Sequence, residues 1–218
     1  MTAGQRVLGR SKLRTVGITA AVLILIILVF AGIRVVEDLP PIVAGTLPDD
    51  DYAVRYVQHH VLAYLHIMFG VVYLLGAPLQ LSYRFRSRNY PRHRRLGLLL
   101  LSAGLLAGVF ALVFGLPYSF GGIGQASATA VFGLWFLACL LLAFRAIKSG
   151  KVVAHRRWMI RAFAMGLGVG TIRIWIGLFQ ATGLLDLRDS FAVAFWIAFS
   201  MHALAGEVWL RTTPHPPG

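Results

Sequence analysis

The chain reads as an all-α integral membrane protein, a helical bundle of about six transmembrane helices with a duplicated hairpin, and three observations predict this. Of its 218 residues 58% are hydrophobic and 13% charged, at a mean hydropathy of +0.73, which is too apolar for a soluble domain of that length. Apolar runs long enough to cross about 30 Å of hydrocarbon recur along it. Lys and Arg gather in short clusters between those runs, as the positive-inside bias of membrane proteins requires. The formal net charge of +13 is explained in this way without nucleic acid as a partner.

Taken in order, residues 1–14 form a basic amino terminus carrying Arg6, Arg10, Lys12 and Arg14. A first span at 15–36 follows. Its apolar run from Val16 to Ile33 is longer than a signal-peptide core and no small-x-small cleavage pattern comes after it, so it reads as a retained anchor. Residues 37–56 read as an extracytoplasmic loop with Pro40, Pro41, Pro48 and five acids. A five-helix bundle is expected over 57–211, with spans of roughly Val57 to Leu81, Leu96 to Leu116, Gly124 to Phe144, Arg157 to Gln180 and Ser190 to Leu210. Residues 212–218 are Pro-rich, include His215 and read as a disordered tail. The amino terminus and the loops 84–95 and 145–157 hold fifteen of the 21 Lys and Arg residues, which places them on the cytoplasmic side. Seven of the eight acids fall on the opposite side.

The segment from His155 to Trp175 carries two arginines, Arg161 and Arg173, inside a predicted span. Ionisable groups at that depth face the bundle interior or a wet cavity and take a partner. His155 and Arg173 are five helical turns apart and share a face, along which Ala162, Gly166 and Gly170 form a smooth groove. Small residues spaced by four admit either a neighbouring helix or a flat ligand. Arg173 could hold an anion, or satisfy carbonyls of an unwound stretch beside Gly166, Gly168 and Gly170. Arg161 is expected to pair with Glu207 on the last helix, which lies at a similar depth.

A shift of 62 residues lays His93-Arg94-Arg95 over His155-Arg156-Arg157, and Gly104 and Gly108 over Gly166 and Gly170. This is the mark of a duplicated hairpin. His66, followed by Gly70, and His202, followed by Gly206, lie at similar depths on helices running the same way, with a glycine one turn away that leaves room above each imidazole. His59, His66, Tyr73 and Gln80 recur every seven residues as a polar stripe, of which His59 belongs to the surface together with His60.

Two imidazoles from facing helices, glycines beside them and a cation for the propionates are what a membrane-embedded b-type haem requires. His66 and His202 are therefore the candidate iron ligands, with Arg173 as the candidate propionate partner. His93 and His155 form a second candidate pair, or serve as head-group contacts at the interface. Haem b would make the chain an electron-transfer protein with a quinol or another membrane redox partner. The alternative is a non-redox protein, a small transporter or lipid-binding scaffold, in which His66, Arg173 and His202 line a pocket for an anion. The plainer reading of the two histidines is as interior residues hydrogen-bonded to tyrosine or serine, such as Tyr64 or Ser200, that glue helices together. Cys139 stands alone, which excludes an internal disulfide and a thiolate cluster. No Walker loop, H-E-x-x-H or nucleophile elbow occurs, so the usual chemistry of soluble enzymes is not expected.

His66, the segment Gly76 to Gln80, the His93-Arg94-Arg95-Leu96-Gly97 stretch, the run from His155 to Arg161 and Arg173 together resemble a family of predicted bacterial multipass membrane proteins whose function is not assigned. The resemblance spans roughly Gln58 to Arg173. It implies an all-helical membrane fold and no named activity; the bacterial inner membrane, with the amino terminus cytoplasmic, is the expected location. More distantly, paired histidines on neighbouring helices look like the membrane cytochromes b of the ascorbate-linked and haem A synthase types. The chain departs from these in that its fourth span carries no histidine.

Overall fold

The computed structural model describes residues 3–213, with side chains described from Ser11 onward. Eight helices follow one another: α1 (Ala3–Ala44), α2 (Asp51–Gln58), α3 (His60–Leu81), α4 (Tyr83–Arg88), α5 (Tyr90–Gly115), α6 (Gly122–Lys148), α7 (Val152–Thr182) and α8 (Leu187–Thr212). Six of these, α1, α3, α5, α6, α7 and α8, are long and apolar enough to cross a membrane. No strand occurs among the described residues. The fold is thus the all-α membrane bundle that composition predicts.

Helix α7 is the axis of the bundle and packs on α1, α3, α6 and α8. Its glycines explain how four neighbours come so close. A Cβ at Gly170 would stand 2.8 Å from the Leu23 carbonyl oxygen of α1, one at Gly168 2.8 Å from the Phe199 ring of α8, and one at Gly166 3.0 Å from Leu74 of α3. Small residues at these positions let each helix approach. The groove seen in the sequence is therefore filled by helices over much of its length. Gly104 and Gly108 of α5 do the same work, meeting Tyr73 and Leu140, and Leu137. Helix α5 opens at Tyr90 and α7 at Val152, so the repeat's 62-residue shift reproduces the helix starts.

Several boundaries differ from the sequence reading. The segment 37–56 is mostly helical: α1 continues to Ala44 through Pro40 and Pro41, and α2 begins at Asp51. Proline breaks helices chiefly by removing an N–H and crowding the preceding turn. Here both prolines stand in the closing turns, where only a few bonds remain to be lost. The basic segment 84–95 is also helical, formed by α4 and the first turns of α5, with Ser82 and Asn89 capping their starts. At the far end α8 runs to Thr212 before the residues 214–218, which with His215 lie outside the described residues. Gly183, in the left-handed conformation at φ 65°, closes α7, and the Asp186 carboxylate accepts the Asp189 N–H at 2.7 Å to start α8.

The expected pair between α7 and α8 forms. Arg161 Nη2 donates to Glu207 Oε2 at 3.0 Å, Nε donates to Oε1, and the guanidinium lies over the Trp158 ring at 4.5 Å. The Arg161 side chain is 15% exposed and that of Glu207 34%, so the pair sits between a surface bridge and a buried one. Arg161→Ala should accordingly cost about 1–3 kcal/mol. The check is thermal unfolding in mild detergent, with Glu207→Ala and the double variant closing a cycle. An unchanged melting temperature in the single variants would remove the pair from the forces holding α7 to α8.

Candidate functional site

Helix α2 is short, yet it sets the site. Asp50 caps it, accepting the N–H groups of Tyr52 and Ala53 at 3.2 and 3.1 Å. Tyr52, Arg55 and Tyr56 then follow at the spacing that places them on one face. Arg55 Nη1 donates to the Tyr118 carbonyl at 2.9 Å. Its guanidinium carbon stands 4.6 Å from the Tyr52 ring centroid, 5.0 Å from Tyr56, 5.8 Å from Phe114, 5.6 Å from Phe120 and 5.9 Å from Phe191. Such a cage holds a cation through ring quadrupoles.

Two further arginines reach the same tyrosines. Arg34 of α1 lies over the Tyr56 ring at 4.5 Å, donates from Nη1 to Glu37 at 3.0 Å and from Nε to Asp38 at 3.2 Å, and forms a second bond to Asp38 through Nη2. Asp38 is fully buried, and the Tyr64 hydroxyl donates to it at 2.9 Å. Arg173 of α7 donates to the Tyr52 hydroxyl at 3.4 Å and lies over the Phe30 ring at 5.2 Å. Among the described residues neither Arg55 nor Arg173 takes part in an ion pair. Three guanidinium groups thus converge where there are two carboxylates, and both carboxylates are engaged by Arg34.

The resulting field is legible in the two phenols of α2. Burial alone would raise Tyr52, but Arg173 foremost, then a hydrogen bond with Tyr56, Arg55 and Arg34 bring it below the ordinary tyrosine value. Tyr56 goes the other way: burial, reinforced by Tyr52, pushes it up to about 12. An acidic group placed at Tyr52 therefore feels net positive potential.

Inward of this cluster lies a cavity of about 230 Å³, to which all six spanning helices and α2 contribute. Arg34, Arg55, Tyr56 and Arg173 stand at its acid-bearing end. Its walls are mainly aromatic and aliphatic, including Phe30, Phe114, Phe132, Phe136 and Phe195, with His66, Gln125 and Thr129 as polar points. Gly70 also faces it, and a Cβ there would meet nothing within 4 Å.

A family described as a predicted membrane protein, DUF2306, matches residues 63–210. The chain belongs to this family. No curated protein and no solved structure matches it significantly. In this DUF2306 chain the match begins inside α3 and ends in α8, so it takes in His66, Arg161, Arg173, His202 and Glu207. The converging residues of α1 and α2 precede it.

The histidines are placed differently from the expected pairing around one iron. His66 lines the large cavity, and its Nδ1 is 2.9 Å from the Ala107 carbonyl, leaving Nε2 for the interior. His202 lies instead in a separate crevice with Trp135, Arg161 and Glu207; its Nε2 meets the Thr171 hydroxyl at 2.8 Å and the ring also bonds the Ala164 backbone. A bis-imidazole haem needs a nitrogen from each ring on one iron, and the two rings neither share a cavity nor both keep a nitrogen open. These residues do not fit that group. The expected hydroxyl partners are also exchanged, since Tyr64 serves Asp38 and Ser200 is exposed. A Cβ at Gly206 would stand 3.4 Å from Ala164, an ordinary contact, so α7 borders the space expected beside His202. His93 and His155 do come within electrostatic reach of one another, and His155 Nδ1 is 2.9 Å from the Ala143 carbonyl. Helix α7 is unbroken, so Arg173 has no unwound carbonyls to satisfy. His59 stacks on Tyr118 at 3.5 Å rather than standing free. Cys139 is a buried free thiol.

Arg34, Tyr52, Arg55 and Tyr56 are not singled out by the sequence reading. The available signal is the Asp50 cap followed by aromatic and basic residues on one helical face. Removing the charge of Asp38 would leave buried Arg34 with only the exposed Glu37 as a carboxylate partner, and Asp38→Asn should cost on the order of 3 kcal/mol. Thermal unfolding in detergent measures it, and Arg34→Met together with Asp38→Leu should recover most of the loss.

Proposed function

We propose that this membrane protein binds an amphiphilic monocarboxylate within the bilayer, with the anionic head on Arg173 beside Arg55 and the apolar body in the cavity toward His66 and Gly70. One observation carries the reading: two guanidinium groups without carboxylate partners at one end of an apolar intramembrane cavity. A buried cation is costly unless an anion and hydrogen bonds compensate it. A bound carboxylate supplies both, since a guanidinium fork matches two carboxylate oxygens. The cavity is below the usual range of about 300–1,000 Å³ for drug-sized ligands, which suits one acyl chain or a single substituted ring. Its polar points, His66 Nε2 among them, allow the body one further hydrogen bond. The role is that of a binding protein or carrier.

We also infer that the basic end, with α4 and the start of α5, faces the cytoplasm of a bacterial inner membrane, because its lysines and arginines outnumber those at the other end. Alkaline phosphatase fused in segment 45–50 should then be active and a fusion after Ser149 inactive; the reverse pattern would invert the topology.

The binding test uses the full chain in a mild non-ionic detergent with radiolabelled dodecanoate. Saturable binding is expected, with dodecanol at least tenfold weaker. Arg173→Gln should weaken dodecanoate by about 10- to 100-fold, the worth of charge-assisted hydrogen bonds of about 1.5–3 kcal/mol. Gly70→Leu fills open space on an unstrained helix and should block binding while leaving the melting temperature unchanged or higher. Equal binding of acid and alcohol, or full binding by Arg173→Gln, would overturn the reading.

A further inference from the structure

The opposite end of the bundle holds a second cluster that the cavity does not use. Arg86 of α4 lies within electrostatic reach of His93 on α5 and of Arg156 on α7, and His93 in turn lies within reach of His155. All four are half-buried. Both members of the duplicated His-Arg-Arg motif therefore contribute to one place, which the 62-residue shift alone does not require.

Two features of the cluster point to a missing acceptor. His93 Nδ1 and Gln80 Nε2 are buried and have no hydrogen-bond partner. Gln80 lies beside Gly97, one turn beyond His93 on α5, where a Cβ would stand 3.2 Å from its Oε1. Buried polar nitrogens left unpaired cost about 1–3 kcal/mol each, and native structures rarely leave them so; Gln80 Nε2 is a donor, and His93 Nδ1 is one in its Nδ1–H tautomer. Carboxylates are also lacking. Seven of the eight acids belong to α1, α2, α8 and their connections at the other end, and Glu207 is taken by Arg161. Neither Arg86 nor Arg156 is in an ion pair among the described residues.

We infer that Arg86, His93, His155 and Arg156, with Gln80, form a site for a phosphate oxyanion at the basic end of the bundle. A phosphate presents several acceptor oxygens, enough for two guanidinium groups and for the two unpartnered nitrogens at once. The depth of the cluster at the starts of α5 and α7 is that of lipid head groups, and a phosphate there arrives either on an anionic lipid or as a free ion.

The test separates these sources. Full-length protein in mild detergent is equilibrated with equal phosphatidylglycerol and phosphatidylcholine and the retained lipid is counted by native mass spectrometry. In parallel, its melting temperature is followed with inorganic phosphate against chloride at matched ionic strength. A preference for phosphatidylglycerol of about fivefold or more, lost in Arg86→Gln/Arg156→Gln and kept in Arg145→Gln/Lys148→Gln, supports the site with lipid as the source. Stabilisation by phosphate beyond chloride, lost in the same double variant, supports it with the free ion as the source. The wild-type measurements stand even if the double variant fails to fold: no lipid preference together with no phosphate effect overturns the site. Equal losses in both double variants overturn it too, because general positive charge would then be the cause.

Discussion

Burying guanidinium groups in a bilayer is the constraint on which the acid-bearing end of this structure depends. Arg34, Arg55 and Arg173 are brought to the same two tyrosines, and each is compensated differently: Arg34 by Asp38 and Glu37, Arg55 by a ring cage and the Tyr118 carbonyl, Arg173 by a phenol at 3.4 Å and the Phe30 ring. Ring faces and single hydroxyls offset less of a cation's desolvation than a carboxylate does. Carboxylate compensation is therefore confined to Arg34, and Arg55 and Arg173, which line the same cavity, are held by rings, a carbonyl and phenols alone. Helix α2 makes this possible, because its Tyr52 and Tyr56 stand between all three.

The placement of Arg173 follows from backbone contact elsewhere on α7. Gly170 lets the α1 backbone at Leu23 come within van der Waals reach, and Arg173 lies nearly one turn further on, where Phe30 of the same α1 covers it. Tightening of α1 against α7 thus positions the charge. It also explains why α1, which lies outside the family match, still belongs to the site. A chain without α1 would leave Arg173 without its aromatic cover and the cavity without Arg34.

How much of this was legible in the sequence differs by kind of information. Span number followed from length and apolarity, and the Arg161–Glu207 pair from depth alone, since a long side chain spans the remaining uncertainty in azimuth. Depth was insufficient for His66 and His202. They stand at comparable levels on α3 and α8, but each faces a different space, and only packing around α7 decides which. The Arg34–Asp38 pair was hidden by Pro40 and Pro41, which read as the start of a loop though α1 passes through them. Arg55 and its cage were hidden because rings from α2, α5, α8 and the connection before α6 assemble only in three dimensions.

The two uses of glycine in the bundle bear on why a cavity persists at all. At Gly104, Gly108, Gly166, Gly168 and Gly170 the missing Cβ is replaced by a neighbour's atoms at close range. At Gly70 nothing replaces it. Interiors close-packed to crystal-like density rarely keep such space, since each lining atom forfeits dispersion contacts. Collapse of the walls onto Gly70 would bring apolar groups against His66 and Arg173 and withdraw their remaining access to a polar partner, which costs more than the void. A charged group and an unfilled glycine thus border one space, and the cost of closing it falls on its polar lining rather than on the apolar walls.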